Sequence, residues 1–440
     1  MVDKAKNEPA ATAAESGSVS RRLALGAFWA LVGAIVSRGL TLASSVAAGR
    51  ILGTTGFGEL GMIQSTQGLF GILAGAGMGL ATTKFVAEYR TNDHPKAGRC
   101  IGFALFVAVV SAALLAPLLF VFAGLIAERV LHAPHLESEF QVSTGLIFFG
   151  TINGVQTGGI VGMGNFRTVA ILNIIRGAAL CVLLVLGIML WGVMGGVIGL
   201  VLTEAVAVLA NQSALMRLFP HLRPRWPKSD EARLELITIC RFSLLALSGS
   251  ACTTLVLWFA NVLLVSEPEG YAALGLFNAA DRWRQLLLFL PASISPLMLS
   301  MLSNLHGRND PAEYRRLVSL NLWINFGVVM VPSAIVALGA PWGMLVFGEE
   351  YRAGWMTLAV LAVSSVAVVM NNVLGQILVS KGGIWSRFLL DVFLSAVLAL
   401  TSWFLIPQLR DLGMAVSSLI AYGATALVLS WPVVRCMRAT

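Results

Sequence analysis

Long apolar stretches follow one another along almost the whole chain, with short polar segments between them. A helix of about twenty apolar residues crosses a bilayer, and windows of that length predict twelve spans. The spans are 24–48, 57–80, 98–123, 142–164, 168–190, 193–216, 237–263, 273–302, 317–345, 354–379, 385–406 and 412–434. Helices are expected because lipid offers no partner to an unpaired backbone amide, and the alternating pattern of a membrane β-barrel is absent. The pattern therefore predicts an all-α integral membrane protein.

Composition agrees with this fold class and excludes several others. Hydrophobic residues make up 57% of the chain and charged residues 12%, whereas about a quarter of a soluble domain is charged. The five cysteines show no CxxC spacing, the chain has no phosphate-binding P-loop, and no loop is long enough for a catalytic domain. We therefore expect no enzyme activity, no ATP hydrolysis, no metal and no cofactor.

Lysine and arginine are distributed unevenly between alternate loops, and cytoplasmic loops of membrane proteins carry the excess. With the N-terminus in the cytoplasm, twenty-two of the thirty basic residues fall on the inner side. Only Arg50, Arg129, Arg352 and Arg410 fall on the outer side. If one span were missing from the count, every later loop would change sides and the asymmetry would be lost. The asymmetry therefore supports an even count of twelve spans and predicts that both termini are cytoplasmic. It also explains the net charge of +8 without a nucleic-acid partner.

The polar segments divide the chain into four parts. Residues 1–20 are polar and Ala/Ser-rich, which predicts a disordered cytoplasmic tail. Residues 21–218 and 237–440 are two halves of six spans each, and the charged, Pro-rich segment 219–236 is a cytoplasmic linker between them.

Two short matches between the halves suggest an internal duplication. Segment 56–61 (GFGELG) resembles 270–275 (GYAALG), and segment 164–173 (GNFRTVAILN) resembles 382–391 (GGIWSRFLLD). Each pair occupies the same place in its half. Because six spans is an even number, both halves would enter the membrane from the same side, which predicts two parallel halves around a central cavity.

Ionisable side chains lie deep within several predicted spans, where a charge costs a few kcal/mol and usually faces a watery cavity or a partner. They are the arginines Arg38, Arg176, Arg282 and Arg284 and the acids Glu204, Asp281 and Asp391. Arginines near span ends can extend to lipid headgroups instead, but Arg38 and Arg282 lie deeper. The excess of arginine predicts a cationic cavity that would attract an anion such as a diphosphate, which arginine binds with two hydrogen bonds.

The eighth predicted span contains three of these charges within four residues. Asp281 and Arg284 are three residues apart, so they share a helix face and can neutralise each other. Arg282 projects about 100° away and has no ionic partner on its own helix. Arg282 is therefore the first candidate for contact with a ligand, and the alternative is that it bonds to another helix. Pro291 and Pro296 follow, and predict either a hinge or a bent helix.

Several motifs resemble those of polysaccharide repeat-unit flippases, a family within the multidrug/oligosaccharidyl-lipid/polysaccharide exporter superfamily. Segment 48–53 (AGRILG) followed by 56–58 (GFG) is similar to that family's signature at the end of the first span. Segment 77–82 (GMGLAT) resembles the end of its second span, and 274–280 (LGLFNAA) resembles the opening of its eighth. Phe277 stands where the family usually has tyrosine.

This resemblance implies a flippase in the bacterial inner membrane. It would carry an undecaprenyl-diphosphate-linked oligosaccharide between leaflets by alternating access, driven by a proton or sodium gradient. Membrane lipids would surround it, and a polysaccharide polymerase or export machinery would be a further partner. The family's cationic lumen would here consist of Arg38, Arg176, Arg282 and Arg284. Glu204, Asp281 or Asp391 would couple to the ion, with Asp281 favoured because it lies beside arginines.

Three other functions remain as alternatives. A multidrug extruder of the same superfamily would be expected to have an acidic, aromatic-lined cavity for cationic drugs. A peptidoglycan-precursor flippase usually has more than twelve spans. A membrane-embedded glycosyltransferase or polymerase would need a sizeable outer loop or an acidic catalytic pair, and the sequence shows neither.

Overall fold

The computed structural model describes residues 8–75, 77–91, 93–219, 230–307, 311–380 and 383–439, and the regular structure in these ranges is entirely helical. The α-helices are α1 (Glu8–Gly75), α2 (Met78–Tyr89), α3 (His94–Leu125), α4 (Glu137–Gly162), α5 (Phe166–Leu218), α6 (Asp230–Val265), α7 (Gly270–Gly307), α8 (Pro311–Leu338), α9 (Ala340–Leu345), α10 (Trp355–Ser380) and α11 (Ile384–Ala439). Short π and 3₁₀ turns occupy Ile126–Val130, Pro134–Leu136 and Glu349–Gly354. We refer to α1–α5 as the N-terminal half and to α6–α11 as the C-terminal half.

Six helical stretches of the described chain are long and apolar enough to cross a membrane. They belong to α1, α3, α5, α8, α10 and α11. Helices α4 and α7 are not in this group; α4 contains several amides and hydroxyls, and α7 contains three charges within four residues. The predicted spans lie mostly within helices, but the number of crossings and the side of the termini stay predictions.

Three of the helices contain a sharp break in backbone conformation. The 68 residues of α1 would extend about 100 Å if straight, yet Gly53 has φ 68° and ψ −176°. Gly192 interrupts α5 with φ 58°, and Arg410 interrupts α11 with φ 52°. In α5 the two arms pack against each other, since a Cβ on Gly195 would collide with the carbonyl oxygen of Gly187. The break in α5 is therefore the turn of a helical hairpin.

The second predicted span differs from the structure at its end. The apolar window 57–80 continues past Gly75, where α1 ends, and a new helix begins at Met78 after Gly77 with φ 69°. The first turn of α2 packs closely on α4, because a Cβ on Gly158 would meet the carbonyl oxygen of Gly79. Glycine is needed at these positions for a left-handed backbone and for close helix packing.

The predicted tail and linker are only partly covered by the structure. Helix α1 begins at Glu8, inside the segment 1–20 predicted to be disordered. Alanine favours helix over coil, and four alanines between residues 10 and 14 account for this difference. Of the linker 219–236, residues 220–229 lie outside the described residues and α6 begins at Asp230.

The two halves meet on the side of the molecule where α1 breaks at Gly53. The largest buried apolar cluster of the described residues lies there and contains residues from both halves, including Phe57 and Phe347. The hydroxyl of Tyr351 lies within hydrogen-bond distance of the carbonyl oxygens of Gly49 (3.2 Å) and Gly53 (2.9 Å). The hydrophobic core is therefore centred on the contact between the halves.

The two similar segments 56–61 and 270–275 pack against each other within this contact. A Cβ on Gly58 would collide with the carbonyl oxygen of Tyr271, and one on Gly275 would collide with that of Thr54. The backbones of α1 and α7 thus touch directly, which only glycine permits. Helix α6 adds two cross-links to α1: Trp258 Nε1 donates to Thr66 Oγ1 (3.0 Å), and Asn261 Nδ2 donates to Ser65 Oγ (2.6 Å).

Candidate functional site

A cavity of about 420 Å³ lies next to this contact, between α1, α4 and α5 of the N-terminal half and α7 of the C-terminal half. Its size falls within the range of about 300–1,000 Å³ that is common for ligand pockets. Among the described residues, its charged lining consists of Arg38, Arg176, Glu204 and Arg282. Three of the four arginines and one of the three acids singled out from sequence thus converge on one site.

Arg282 enters the cavity from α7 and is held by a neutral side chain. Its Nη2 donates a hydrogen bond to Oε1 of Gln64, on the arm of α1 that follows the Gly53 break (2.9 Å). The alternative considered from sequence, that Arg282 bonds to another helix, is thus what the structure shows, and the same residue lines the cavity. Contact between Arg282 and a ligand stays a prediction. Because the amide of Gln64 carries no charge, this hydrogen bond does not neutralise Arg282.

Arg176 is paired with the only acid of the described cavity lining. Arg176 on the first arm of α5 donates to Glu204 on the second arm, through Nη2 and through Nε (3.2 Å). The other carboxylate oxygen of Glu204 accepts from Asn153 Nδ2 (2.8 Å). The Arg176 side chain remains half exposed, at 51%. This pair is neutral overall, but its arginine can still be reached from the cavity.

A second, smaller cavity of about 90 Å³ shares Asn173 and Arg176 with the first, and three amides and one hydroxyl of α4 and α5 line it together with apolar side chains. Asn211 Nδ2 donates to Asn153 Oδ1 (2.6 Å) and to Thr157 Oγ1 (3.1 Å). These bonds continue the network from Glu204 through α4. The neutral polar groups hold the carboxylate in place without altering the charge of the site.

Arg38 is the third cavity arginine, and it lies on the arm of α1 before the Gly53 break. Its side chain is exposed and makes no hydrogen bond or ion pair with the described residues. Arg38 lies close enough to Arg282 for their like charges to interact. With Arg176 balanced by Glu204, these two arginines give the described lining of the cavity a net charge of +2.

Arg284 and Asp281 are not brought into this cavity. Arg284 Nη2 lies 2.5 Å from Asp281 Oδ1, as the i,i+3 spacing predicts, and Gln285 Nε2 donates to Asp281 Oδ2 (2.8 Å). Neither Asp281 nor Arg284 is part of the described cavity lining, although Gln285 is. The predicted pair is therefore confirmed, and its two charges cancel each other.

Asp391 also lies away from the cavity lining. Arg387 Nη2, one turn earlier on α11, is 2.8 Å from Asp391 Oδ1. Arg387 also lies 3.3 Å from the carbonyl oxygen of Asn371 on α10. Asp391 is thus neutralised within the C-terminal half.

The proline pair does not interrupt its helix. Helix α7 continues from Gly270 to Gly307 through both Pro291 and Pro296. Pro291 is buried, and the side chain of Pro296 lies outside the described residues. A role for either proline as a hinge stays a prediction.

Sequence reasoning missed the uncharged members of the site. Gln64, Asn153, Asn173 and Asn211 line one or both cavities. Each is an amide within an apolar helix, and that contrast is a signal that a search limited to charged residues overlooks. No cluster of three or more His, Cys, Asp or Glu side chains that could hold a metal occurs among the described residues.

Comparison with known proteins places this fold and cavity in a family. A family model described as polysaccharide biosynthesis protein matches residues 23–299. The lipid III flippase of Escherichia coli (strain K12) is 25% identical over 413 residues, which cover 91% of this chain and 95% of that protein. The lipid III flippase of Shigella flexneri matches to the same extent.

Solved structures share the fold at lower identity. An inward-facing multidrug resistance transporter of the MATE family, in the MOP superfamily, has a TM-score of 0.75 at 15% identity, covering 94% of this chain and 99% of that one. A MOP superfamily transporter from Pyrococcus furiosus, whose binding pocket has reverse polarity, has a TM-score of 0.70 at 17% identity. In that case 95% of each chain is covered.

These similarities and the helical fold define a multi-pass membrane transporter of the bacterial inner membrane, not an enzyme. Within that class, the chain belongs to the polysaccharide biosynthesis protein family. The family expected from the motifs is thereby confirmed.

Proposed function

We propose that this protein is a flippase that moves undecaprenyl-diphosphate-linked oligosaccharide repeat units from the inner to the outer leaflet by ion-coupled alternating access. The net charge of the cavity is the observation that carries this proposal. Arg38 and Arg282, which form no ion pair with a described carboxylate, and the half-exposed Arg176 face one space. Arginine guanidinium groups bind phosphate oxygens with paired, charge-assisted hydrogen bonds.

The alternative of a multidrug extruder fits this charge distribution less well. A cationic drug would need a free carboxylate, since burying an unpaired charge is costly. The one acid of the described cavity lining, Glu204, already accepts hydrogen bonds from Arg176 and Asn153. The lipid III flippase relatives also favour an anionic, lipid-linked cargo.

The proposed topology has twelve crossings in two parallel six-helix halves, with both termini in the cytoplasm. The Gly53 side would then face outward. The backbone contacts of Gly58 and Gly275 hold α1 and α7 together on that side, so the proposed state is closed to the outside and open to the cytoplasm. In this state the cavity would receive a headgroup from the inner leaflet.

Glu204 is the best placed of the three acids for coupling to an ion. All three acids are paired with an arginine, but Glu204 lines the same cavity as the arginines, whereas Asp281 and Asp391 lie outside its described lining. A proton or sodium ion at Glu204 would change the partner of Arg176, and thus the charge that the cargo meets. The geometry therefore favours Glu204 as the ion-coupling acid, whereas the sequence favoured Asp281.

Deleting the gene and restoring it with variants tests the function. We expect the deletion to abolish surface polysaccharide and to leave undecaprenyl-diphosphate-linked oligosaccharide accumulating in the cell. The intact gene should restore the polysaccharide, while Arg282→Glu should not do so at equal protein level. Arg129→Glu, at an exposed position that is not part of the described cavity lining, is the matched charge reversal and should restore it.

Normal polysaccharide in the deletion strain, together with new sensitivity to cationic compounds, would instead favour the multidrug extruder. Normal polysaccharide with Arg282→Glu alone would reject the assignment of the cavity as the cargo site.

A further inference from the structure

The arginines of this protein's interior differ in the chemistry of their partners. Three of them bond to carboxylates: Arg176 to Glu204, Arg284 to Asp281 and Arg387 to Asp391. Arg387 also donates to an amide, Asn371 Oδ1 (3.3 Å), but among these four only Arg282 has an amide, Gln64 Oε1, and no carboxylate as its described hydrogen-bond partner. A carboxylate partner cancels the charge of an arginine, whereas an amide accepts the hydrogen bond and leaves the charge intact.

The orientation of the Gln64 amide follows from this contact. Arginine has only hydrogen-bond donors, so the oxygen of Gln64 must face Arg282 and its amide nitrogen must face elsewhere. That nitrogen has no hydrogen-bond partner among the described residues and is not a buried, unsatisfied atom. Gln64 itself lines the cavity. Its two N–H groups are therefore available to an anion bound beside Arg282.

The position of Gln64 is fixed by the contact between the halves. Its neighbours hold this part of α1 against the C-terminal half: a Cβ on Gly61 would collide with the amide of Asn278, and Ser65 accepts a hydrogen bond from Asn261. Gln64 belongs to the N-terminal half and Arg282 to the C-terminal half. The amide thus reaches Arg282 from a part of the backbone that packing makes rigid.

We infer that Gln64 is the positioning residue for Arg282, holding the guanidinium at the cavity while leaving its charge free for the diphosphate of the cargo. This inference rests on the proposed function and adds a specificity residue to it. A neutral acceptor fixes the geometry that a two-bond contact with phosphate requires. A carboxylate at the same place would fix the geometry equally well and remove the attraction.

Two substitutions at position 64 separate this role from a structural one. Gln64→Glu keeps an acceptor of the same length and adds a negative charge. Gln64→Met keeps the length and removes the acceptor. Binding of a short-chain polyprenyl diphosphate to purified protein is measured by microscale thermophoresis, and the melting temperature is measured without ligand. Asn173→Asp, which adds a charge elsewhere on the cavity lining, is the matched control.

We expect affinity to fall in the order wild type, Gln64→Met, Gln64→Glu, with Gln64→Glu weaker than wild type by about tenfold or more. The melting temperature of Gln64→Glu should equal or exceed that of wild type, because Arg282 gains an ionic partner. Asn173→Asp should reduce affinity less than Gln64→Glu.

A purely structural role gives the reverse order, with Gln64→Met the most harmful variant and Gln64→Glu harmless to binding, and that result would overturn the inference. Equal losses in Gln64→Glu and Asn173→Asp would also overturn it, since total cavity charge would then be sufficient. If wild-type protein binds no polyprenyl diphosphate, the proposed function fails instead, and the two failures are thereby distinguished.

Discussion

Replacing Arg282 with glutamine removes one of the two cavity arginines that form no ion pair with a described carboxylate, while keeping a hydrogen-bonding side chain. The new amide is shorter and neutral, but it can still donate a hydrogen bond towards Gln64 Oε1, the partner of Arg282 in the structure. The contact between the halves is made largely by backbone and apolar groups. We therefore expect Arg282→Gln to fold and to insert like the natural protein.

The loss of affinity can be worked from the geometry of the site. A hydrogen bond to a charged group contributes about 1.5–3 kcal/mol, and two unit charges about 4 Å apart interact by about 4 kcal/mol at an effective dielectric constant of about 20. Water and the remaining arginines offset part of this. We expect a net loss of about 2–3 kcal/mol, which raises the dissociation constant for a polyprenyl diphosphate about 30- to 150-fold.

The assay is titration of a short-chain polyprenyl diphosphate into purified protein in nanodiscs, at two salt concentrations. Arg129→Gln removes an exposed charge that is not part of the described cavity lining and should bind like wild type. The salt dependence should also weaken in Arg282→Gln, because fewer charges contact the ligand. A dissociation constant within threefold of wild type, or an equal loss in Arg129→Gln, would refute the reasoning.

Three further predictions follow from the same geometry. Gly58→Ala should destabilise the protein by about 1–3 kcal/mol, because the added Cβ would collide with a backbone carbonyl of α7. In the control Gly68→Ala the added Cβ meets nothing within 4 Å, so the melting temperature should stay unchanged. Equal melting temperatures for the two variants would argue against the contact between α1 and α7. Glu204→Gln should tighten diphosphate binding by about 1 kcal/mol, roughly fivefold, because Arg176 loses its ionic partner and can bind the ligand. Weaker binding by this variant would contradict the proposed pairing of Arg176 with Glu204. In a cysteine-free background, Arg225→Cys should be labelled only from the cytoplasm and Glu267→Cys only from outside, and the opposite pattern would break the topology.

The sequence was most informative where the physical rule was local. The i,i+3 spacing of Asp281 and Arg284 is enough to predict their ion pair, because helix geometry alone brings the two side chains together. The depth of Arg38, Arg176, Arg282 and Arg284 in apolar windows predicts a shared polar space, since lipid cannot solvate them. Three of these arginines line the cavity, whereas Arg284 is paired with Asp281 outside the described lining.

The hydropathy pattern could not predict contacts between helices that are far apart in the sequence. The bond between Gln64 and Arg282 joins residues 218 positions apart, and the pairing of Arg176 with Glu204 depends on how the two arms of α5 are turned about the break at Gly192. Such distances are set by tertiary packing, which hydropathy does not encode. The end of α1 at Gly75 was missed for a related reason. The left-handed backbone of Gly77 does not change the hydropathy of the window 57–80.

The two unbalanced arginines of the cavity have an electrical consequence. A diphosphate that links a lipid to a sugar carries about two negative charges, so a loaded cavity would be nearly neutral and an empty one would carry two positive charges. Each elementary charge moved through 100 mV gains about 2.3 kcal/mol. The inside-negative potential of a living cell would therefore draw the empty transporter back to its inward state, by up to about 4.6 kcal/mol per 100 mV. Voltage would speed repeated cycles while leaving the first passage of cargo almost untouched.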